Sequence, residues 1–225
     1  FYESENTRAV NVAMKRDIAL CGHFAHAFEP GARFDLSTPY GYGGFLVEGD
    51  AGKDAIGKLD RAYSEWCRDN GVVSEFVRFH PILGNQRCME PMYEVVELGS
   101  TIDIDLSSPD TIYANIRRSK RNRIQRSLND GVRVFSGWGA ALIEEFRDLY
   151  AETMARNEAK DYYYFKKGFF ESVLVDLKDN ARVFYACKDG KIIAAELTLY
   201  CNTQMHGHLA GTRTEFLPLS PLNIV

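Results

Sequence analysis

The chain has 225 residues, of which 45% are hydrophobic and 26% are charged, and its formal net charge is −4. This composition is typical of a globular protein with a packed core, and the acidic balance argues against a protein that coats nucleic acid over its whole surface. Because no run of about 18 apolar residues occurs, the sequence predicts no membrane-spanning helix.

The first part of the chain mixes predicted strands with one predicted helix. Ile56, Leu59 and Tyr63 recur at helical spacing, and Gly71 follows as a stop signal. In chain order, the sequence predicts a strand at 7–15, a Gly- and Tyr-rich loop at 39–45, a helix at 53–70, a strand at 72–82 and a pair of strands within 93–106.

The second part begins with a predicted helix that Ser108 or Asp110 can cap, with Pro109 in its first turn and Gly131 at its end. Asp189-Gly190 is a strong hairpin signal. The order predicted after this helix is a strand at 132–137, a helix at 140–159, a helix at 169–177, three antiparallel strands from 181 to 211, and a helix opening near Pro218 and Pro221. The fold class is therefore α+β, with two units at 1–107 and 108–225.

Six segments follow one another in the order FDLSTPYGYGG, SEFVRFHPILGN, TIYANIRRSKRNRIQRSLNDGVRV, LYAETMARNEAKDYYYF, GKIIAAELTLY and HGHLAGT. Together they resemble the FemAB-like family of aminoacyl and acyl transferases. The resemblance implies two lobes of the GNAT fold, the second of which should continue beyond Val225. The chain departs from the family pattern at Tyr42-Gly43-Gly44, where an Arg-Gly-Pro run is usual, and at His80, where an acid is usual before the proline.

The resemblance also implies a reaction, in which an aminoacyl or other acyl group moves onto an amine by direct attack. The usual acceptor is a peptide side chain of a peptidoglycan precursor, and the usual donor is aminoacyl-tRNA, with no tightly bound cofactor. The alternative is a CoA-dependent N-acyltransferase acting on a sugar or small amine. It is disfavoured because the segment after the last strand, 211–215, has one glycine, whereas a pyrophosphate cradle needs several close backbone N–H groups.

Residues 116–126, IRRSKRNRIQR, hold six basic side chains and no acid. Without them the chain would carry −4 − 6 = −10. If Ile112 and Ile116 face the core of one continuous helix, Arg123 turns inward, where an arginine needs a carboxylate or phosphate partner. Arg117, Lys120 and Arg123 are thus candidates for binding phosphate of tRNA or of an envelope precursor. A solvated helix surface and a non-enzymatic RNA-binding protein remain alternatives.

Polar side chains alternate along the predicted strand pair at 194–210. A three-residue turn would pair Tyr200 with Gln204, Thr198 with His206, and Glu196 with His208. Amine acylation needs a base and oxyanion donors, so Glu196 with His206 or His208 could be the base and Tyr200 a donor. A half-solvated sheet face is the alternative. Two histidines provide too few ligands for zinc, and we expect no metal.

Further candidates for substrate binding come from both halves. The resemblance places Arg156 and Tyr200 where family members contact substrate, and Tyr164 lies in a tyrosine run that could stack bases or pack between helices. Arg78 and His80 share one strand face in the first half. Tyr40 and Tyr42 could form a cleft wall.

Cysteine usage bears on the compartment. The five cysteines are odd in number and form no CxxC pair, which favours a reducing environment and predicts a cytoplasmic protein, peripheral at the inner membrane face if its acceptor is a membrane-bound precursor.

Overall fold

The computed structural model describes residues 1–24 and 27–225. It contains two compact units, Phe1–Asp103 and Ile104–Val225. Each unit combines helices with mostly antiparallel strands, which confirms the predicted α+β class. None of the helices in the described part of the chain is long and apolar enough to cross a membrane.

The first unit contains two three-stranded sheets and one long helix. The elements are β1 (Tyr2–Glu3), β2 (Thr7–Val10), β3 (Met14–Asp17), β4 (Phe34–Ser37), β5 (Leu46–Gly49), α1 (Lys53–Asp69) and β6 (Val72–Phe76). One sheet has the order β1-β2-β5 and the other β3-β4-β6, in which β4 and β6 run parallel. α1 buries Ile56 and Leu59 as predicted, and Gly71 then adopts a φ of +68° that allows the chain to reverse.

Three strand predictions in this unit were wrong. The strand predicted at 7–15 is two strands in different sheets. The strand predicted at 72–82 ends at Phe76, with only an isolated bridge from Gly43 to Phe79 beyond it. Residues 93–106, all of which the structure describes, form no strand. Their alternating apolar residues do not lie against a core, because Leu98 is 83% and Ile102 is 89% exposed.

The second unit is a four-stranded antiparallel sheet with helices. Its elements are α2 (Pro109–Asn115), α3 (Arg118–Asn129), β7 (Arg133–Gly137), α4 (Ala140–Arg156), α5 (Lys167–Asp176), β8 (Ala181–Lys188), β9 (Lys191–Cys201) and β10 (Gln204–Thr212). The strand order is β10-β9-β8-β7. Asp189 and Gly190 both have positive φ and form the predicted hairpin turn. Near Pro218 and Pro221 the chain forms two short 3₁₀ helices, Thr214–Leu219 and Pro221–Asn223.

The helix predicted from 108 to 131 is broken in two. Ser108 caps α2 by accepting a hydrogen bond from the Thr111 N–H, as predicted. Ile116 and Arg117 then adopt extended backbone angles, with ψ of 128° and 140°. The rotational phase of α3 is therefore independent of α2, and Ile112 cannot indicate which side of α3 faces inward.

The two faces of the second sheet are covered differently. α4 and α5 pack on one face and form a cluster with the strands that includes Phe146, Leu149, Phe170, Val183, Leu197 and Leu209. On the opposite face, residues from the 3₁₀ segment cover one end of the sheet, around Ala194. The end near Tyr200 is accessible, since Met205 beside it is 49% exposed.

Candidate active site

The part of this second sheet face near Tyr200 carries the polar side chains of β9, of which Thr198 is buried and Glu196 and Tyr200 are half-buried. Glu196, Thr198 and Tyr200 alternate along the strand and point away from the core residues Leu197 and Leu199. We call this surface the open sheet face, and its cross-strand neighbours complete it. They are Arg182 and Phe184 on β8, and Met205, Gly207 and Ala210 on β10.

The predicted register of β9 and β10 was wrong by one residue. The turn has two residues, Asn202 and Thr203, so Cys201 pairs with Gln204, Tyr200 with Met205, and Leu199 with His206. Opposed residues share a sheet face, so His206 lies on the opposite side from Glu196. A bulge between Gly207 and Leu209 then shifts the pairing again. The predicted pairs Thr198–His206 and Glu196–His208 do not form.

Glu196 is the carboxylate of the open sheet face. Its Oε1 accepts a hydrogen bond of 3.4 Å from the Thr198 hydroxyl, and its carboxyl group lies directly over Gly207, leaving no room for a β-carbon there. Burial raises the pKa of the Glu196 carboxyl, and the Thr198 bond opposes this only in part. A carboxylate with a raised pKa is a better proton acceptor than an ordinary surface glutamate.

His206 and His208 lie close together, with ring centroids 5.8 Å apart. His206 is exposed, whereas His208 is half-buried beside the bulge. Burial, assisted by His206, lowers the pKa of His208 to about 4. At neutral pH His208 is therefore an uncharged imidazole and a weak base, suited to donating or accepting a hydrogen bond rather than to removing an ammonium proton.

Tyr200 and Arg182 provide hydrogen-bond donors on the same face. The backbone of Tyr200 is held by Asn180, whose carbonyl accepts from Tyr200 N–H at 2.8 Å and whose side-chain amide donates to Tyr200 O at 3.0 Å. Arg182 stands opposite Thr198 and donates to the Ser136 hydroxyl at 3.3 Å. The sequence analysis missed Arg182, although the register of β8 against β9 would have identified it.

Arg156 ends α4 and binds the end of β10. Its Nη1 donates to the Thr212 carbonyl and to the Thr214 hydroxyl, both at 3.0 Å. These contacts fix the helix end to the strand end, so Arg156 has a structural role whatever it does to substrate. Tyr164 is exposed in the loop after α4, and the neighbouring Tyr162 and Tyr163 are exposed as well. These three rings therefore do not pack between helices.

An open cavity of about 1080 Å³ lies beside the end of β10. Arg213 bridges two glutamates of α4 within it, through Nη2 to Glu145 at 2.6 Å and Nη1 to Glu152 at 3.1 Å. Glu152 also accepts a 2.6 Å hydrogen bond from the Thr214 N–H, which, as the largest cause, lowers its pKa. The first two backbone donors after β10 are thus already bound, Arg213 N–H by the Ile193 carbonyl at 2.9 Å and Thr214 N–H by this carboxylate. The sequence analysis did not find this triad, whose members lie 61 and 68 residues apart.

In the first unit the structure brings together Arg78, Tyr42 and His80. The Arg78 guanidinium lies 4.9 Å from the centre of the Tyr42 ring, and the His80 ring is 5.4 Å from the same ring. His80 Nδ1 accepts from the Ile82 and Leu83 N–H groups at 3.2 and 3.3 Å. Its imidazole therefore caps a turn, which is a structural role. Tyr40 is 43% exposed in the same loop.

A second cluster in this unit is centred on Glu75. Its carboxylate accepts hydrogen bonds from Asn11 at 3.0 Å, Tyr63 at 3.0 Å and Tyr93 at 2.7 Å. Burial, followed by the charge and hydrogen bonding of Glu75, raises the pKa of both tyrosines. These contacts join β6 to α1 and to two loops, so the cluster holds the unit together.

The basic residues of α3 are placed differently from the prediction. Arg123 is exposed, and the buried position is Ser127, whose hydroxyl donates to the carbonyls of Arg123 and Leu219. Arg123 lies one turn before Ser127, about 40° from it around the helix, but its side chain is exposed, so the predicted inward arginine was wrong. Arg117 occupies the N-cap position of α3, but its side chain makes no capping hydrogen bond. Lys120 Nζ donates to Asn223 Oδ1 at 2.9 Å.

Comparisons with known proteins agree with this architecture. Residues 114–225 match the family model described as an acetyltransferase (GNAT) domain. No curated protein matches the sequence. FemX is similar over 95% of this chain and 74% of its own length, with a TM-score of 0.61 and 10% identity.

A second solved structure is the C-terminal domain (DUF2156) of a protein described as a lysylphosphatidylglycerol synthetase from Agrobacterium fabrum. It is similar over 86% of this chain, with a TM-score of 0.54 and 15% identity, and the chain spans 58% of its length. At these identities both likenesses establish the fold. With the match to the GNAT domain model, they confirm the predicted GNAT architecture.

Proposed function

From the GNAT domain match and the fold shared with FemX, we propose that this chain transfers an aminoacyl group from aminoacyl-tRNA to an amine of a cell-envelope acceptor. The observation that carries the proposal is Glu196. It is a half-buried carboxylate with a raised pKa on the open sheet face, and it stands beside hydrogen-bond donors. This arrangement fits the two needs of amine acylation, which are a base for the ammonium and donors for the oxyanion.

The reaction on this face requires no covalent enzyme intermediate. Glu196 takes a proton from the acceptor ammonium, and the free amine attacks the ester carbonyl carbon of the donor. The new C–N bond produces a tetrahedral oxyanion, toward which the Tyr200 hydroxyl on the same sheet face can donate. The nitrogen of the intermediate loses its second proton to solvent. The C–O bond to the ribose then breaks, and the proton held by Glu196 passes to the leaving ribose oxygen.

The choice between acyl-CoA and aminoacyl-tRNA as the donor depends on the hydrogen-bond donors and charges at the end of β10. A CoA pyrophosphate bound there would need free backbone N–H groups at the start of the next helix. Thr214 N–H already donates to Glu152, and Glu145 places a second carboxylate in the same cavity. Two carboxylates oppose a dianionic pyrophosphate, and Arg213 is already neutralised by both of them. These contacts support an aminoacyl ester over acyl-CoA.

The proposed acceptor rests on the same family relation. The name of the Agrobacterium fabrum neighbour refers to a lysyl group attached to phosphatidylglycerol, which is an envelope lipid. The resemblance of this chain to FemAB-like proteins points to a peptidoglycan precursor. Phosphatidylglycerol and the peptidoglycan precursor are both envelope molecules that receive an amino acid. We therefore propose an envelope acceptor without choosing between them.

The proposal is tested by a transfer assay with competing donors. The protein is incubated with tRNA charged with labelled amino acids, or with labelled acyl-CoA, and with envelope precursors that carry a free amine. We expect label to move from aminoacyl-tRNA, and Glu196→Gln to lower kcat by about 100-fold or more, as loss of a general base does. Glu144→Gln, an exposed change on α4, is the control.

Two results would contradict the proposal. Transfer from acyl-CoA alone would establish the CoA-dependent alternative. Full activity in Glu196→Gln would show that the base lies elsewhere, whatever the donor.

A further inference from the structure

We propose that the outward face of α3 is a docking surface for the phosphate backbone of an RNA. The inference rests on the proposed function in one respect, since the RNA in question would be the carrier of the aminoacyl donor. We call this surface the α3 outer face. It consists of Arg118, Ser119, Asn122, Arg123, Gln125, Arg126 and Asn129, all of which are exposed.

Within residues 1–24 and 27–225, no carboxylate forms an ion pair with the arginines of the α3 outer face. Among the described residues, the ion pairs of the protein involve other cations, and none includes a residue of α3. Surface arginines in an acidic protein commonly find carboxylates, and this chain would carry −10 without the run. Arg118, Arg123 and Arg126 therefore keep their full donor capacity for an external anion.

The other cations of the helix are used internally. Lys120 donates to Asn223, and Arg121 stacks on the Tyr113 ring at 5.3 Å while its Nη1 reaches the Tyr113 carbonyl at 3.5 Å. Steps of 100° per residue place Lys120 about 20° from buried Ser127, and Arg121 is only partly exposed. The proposed phosphate-binding residues are thus Arg118, Arg123 and Arg126. Of the three predicted residues, Arg117, Lys120 and Arg123, only Arg123 is kept.

The start of α3 raises the positive potential further. Its first turn contains no acid, and Arg117 at the N-cap makes no side-chain capping bond. Cations at the positive end of a helix dipole are locally unfavourable, and acids are usual there instead. A bound anion would relieve this repulsion, so the helix carries a local electrostatic cost that phosphate offsets.

The composition of the face distinguishes RNA from a membrane. Apart from its three arginines, the α3 outer face contains only amide side chains and one serine, and no apolar or acidic residue. Membrane-surface helices bury an apolar face below the headgroups, which this surface lacks. Arginines contact phosphates, and amides and hydroxyls also donate to phosphate oxygens. The eight steps from Arg118 to Arg126 rise about 12 Å along the axis, enough to contact successive phosphates of one strand.

The experiment measures binding apart from catalysis. Fluorescently labelled deacylated tRNA is titrated with the whole chain at several KCl concentrations, alongside vesicles of phosphatidylglycerol and phosphatidylcholine. The variant carries Arg118→Gln, Arg123→Gln and Arg126→Gln together. The matched control carries Lys58→Gln, Arg61→Gln and Arg68→Gln, three exposed cations of α1, so that both proteins lose the same charge.

We expect the wild type to bind tRNA with a steep salt dependence and the α1 control to bind equally well. In the α3 variant the slope of log K against log [KCl] should fall by about 2 to 3, and affinity at 0.1 M KCl by about 100-fold, because three phosphate contacts are lost. An unchanged melting temperature of the α3 variant would show that the loss is not unfolding.

The contrary outcomes are distinct. Equal loss in both triple variants, or wild-type binding by the α3 variant, would overturn the docking surface. Preferential binding of the wild type to anionic vesicles would assign the face to lipid instead. Transfer from a small aminoacyl ester of adenosine separates the two proposals, since the α3 variant should retain it. If the wild type binds tRNA through α3 and transfers nothing, the proposed function fails and the surface stands.

Discussion

Two glycines of β10 make the sharpest test of this structure, because the same added methyl group should have opposite effects at each. Gly211 and Gly207 lie four residues apart on one strand. A β-carbon at Gly211 would lie 2.5 Å from the Leu149 carbonyl carbon and 2.6 Å from the Tyr150 nitrogen, both of which are backbone atoms of α4. The three atoms nearest to a β-carbon at Gly207 would all belong to the carboxyl group of Glu196.

The magnitude at Gly211 follows from the packing of α4 on the sheet. Ordinary contact begins near 3.4 Å, so the helix must move by about 3.4 − 2.5 = 0.9 Å. Such a shift strains the Thr153 hydroxyl bond to Thr212 N–H at 2.9 Å and the Arg156 bond to the Thr212 carbonyl at 3.0 Å. Overpacking costs about 1–3 kcal/mol, and each strained bond about 1 kcal/mol. We expect Gly211→Ala to lose about 3 kcal/mol.

Gly207→Ala should instead leave the free energy of unfolding within about 1 kcal/mol of wild type, because a glutamate side chain can rotate away where a helix backbone cannot. Displacing the Glu196 carboxylate removes the proposed base from its place. We therefore expect kcat to fall at least about 10-fold, since misplacing a catalytic group costs rate even when the group is present.

The assays are thermal unfolding and the donor transfer reaction, with Gly168→Ala as the control. Gly168 is exposed in α5 and a β-carbon there meets nothing within 4 Å. For a unit of this size, 3 kcal/mol corresponds to a melting temperature about 10 °C lower. If Gly211→Ala melts like Gly168→Ala, α4 does not press on β10 as described. If Gly207→Ala is fully active, Glu196 does not need its present position.

Three other predictions concern charge and hydrogen bonding. Burial raises the pKa of Glu196, so native stability should fall as pH rises from about 4.5, and urea titrations should show Glu196→Gln gaining stability relative to wild type with rising pH. If the free energy of unfolding of Glu196→Gln differed from that of wild type by the same amount at every pH, this prediction would be contradicted. The pKa of His208 near 4 is below its unfolded value of 6.5, so stability should fall by roughly 1–3 kcal/mol as pH drops through this window, and His208→Gln should abolish that fall. Glu75→Ala removes the acceptor of the Tyr63 and Tyr93 hydroxyls and should cost about 2–4 kcal/mol in urea unfolding, whereas Glu75→Gln should lose less; equal losses would show that the acceptor does not matter.

The residues of the candidate site on β9 could be predicted from residue types and alternation, whereas their partners on β10 could not. Glu196 and Tyr200 were placed on one face of a strand because side chains alternate with period 2, which is a local property. Their partners across β10 were not, because one residue of turn length exchanges the two faces of the whole strand. Asn202, with a φ of +52°, is the residue that shortens the turn, and an asparagine tolerant of that conformation was the available signal.

By itself the sequence determined the α+β class, the long helices α1 and α4, the three-strand meander of β8, β9 and β10, and the resemblance that predicted the GNAT fold. These depend on the periodicity of apolar residues and on turn signals, which act within a few positions of the chain. The tertiary structure alone decided the register of β10, the break between α2 and α3, the exposure of Arg123, and the carboxylates that bind Arg213 from 61 and 68 residues away. The physical reason is that contacts between distant segments are settled by packing and hydrogen bonding across the fold, and the local pattern of either segment contains no record of its partner.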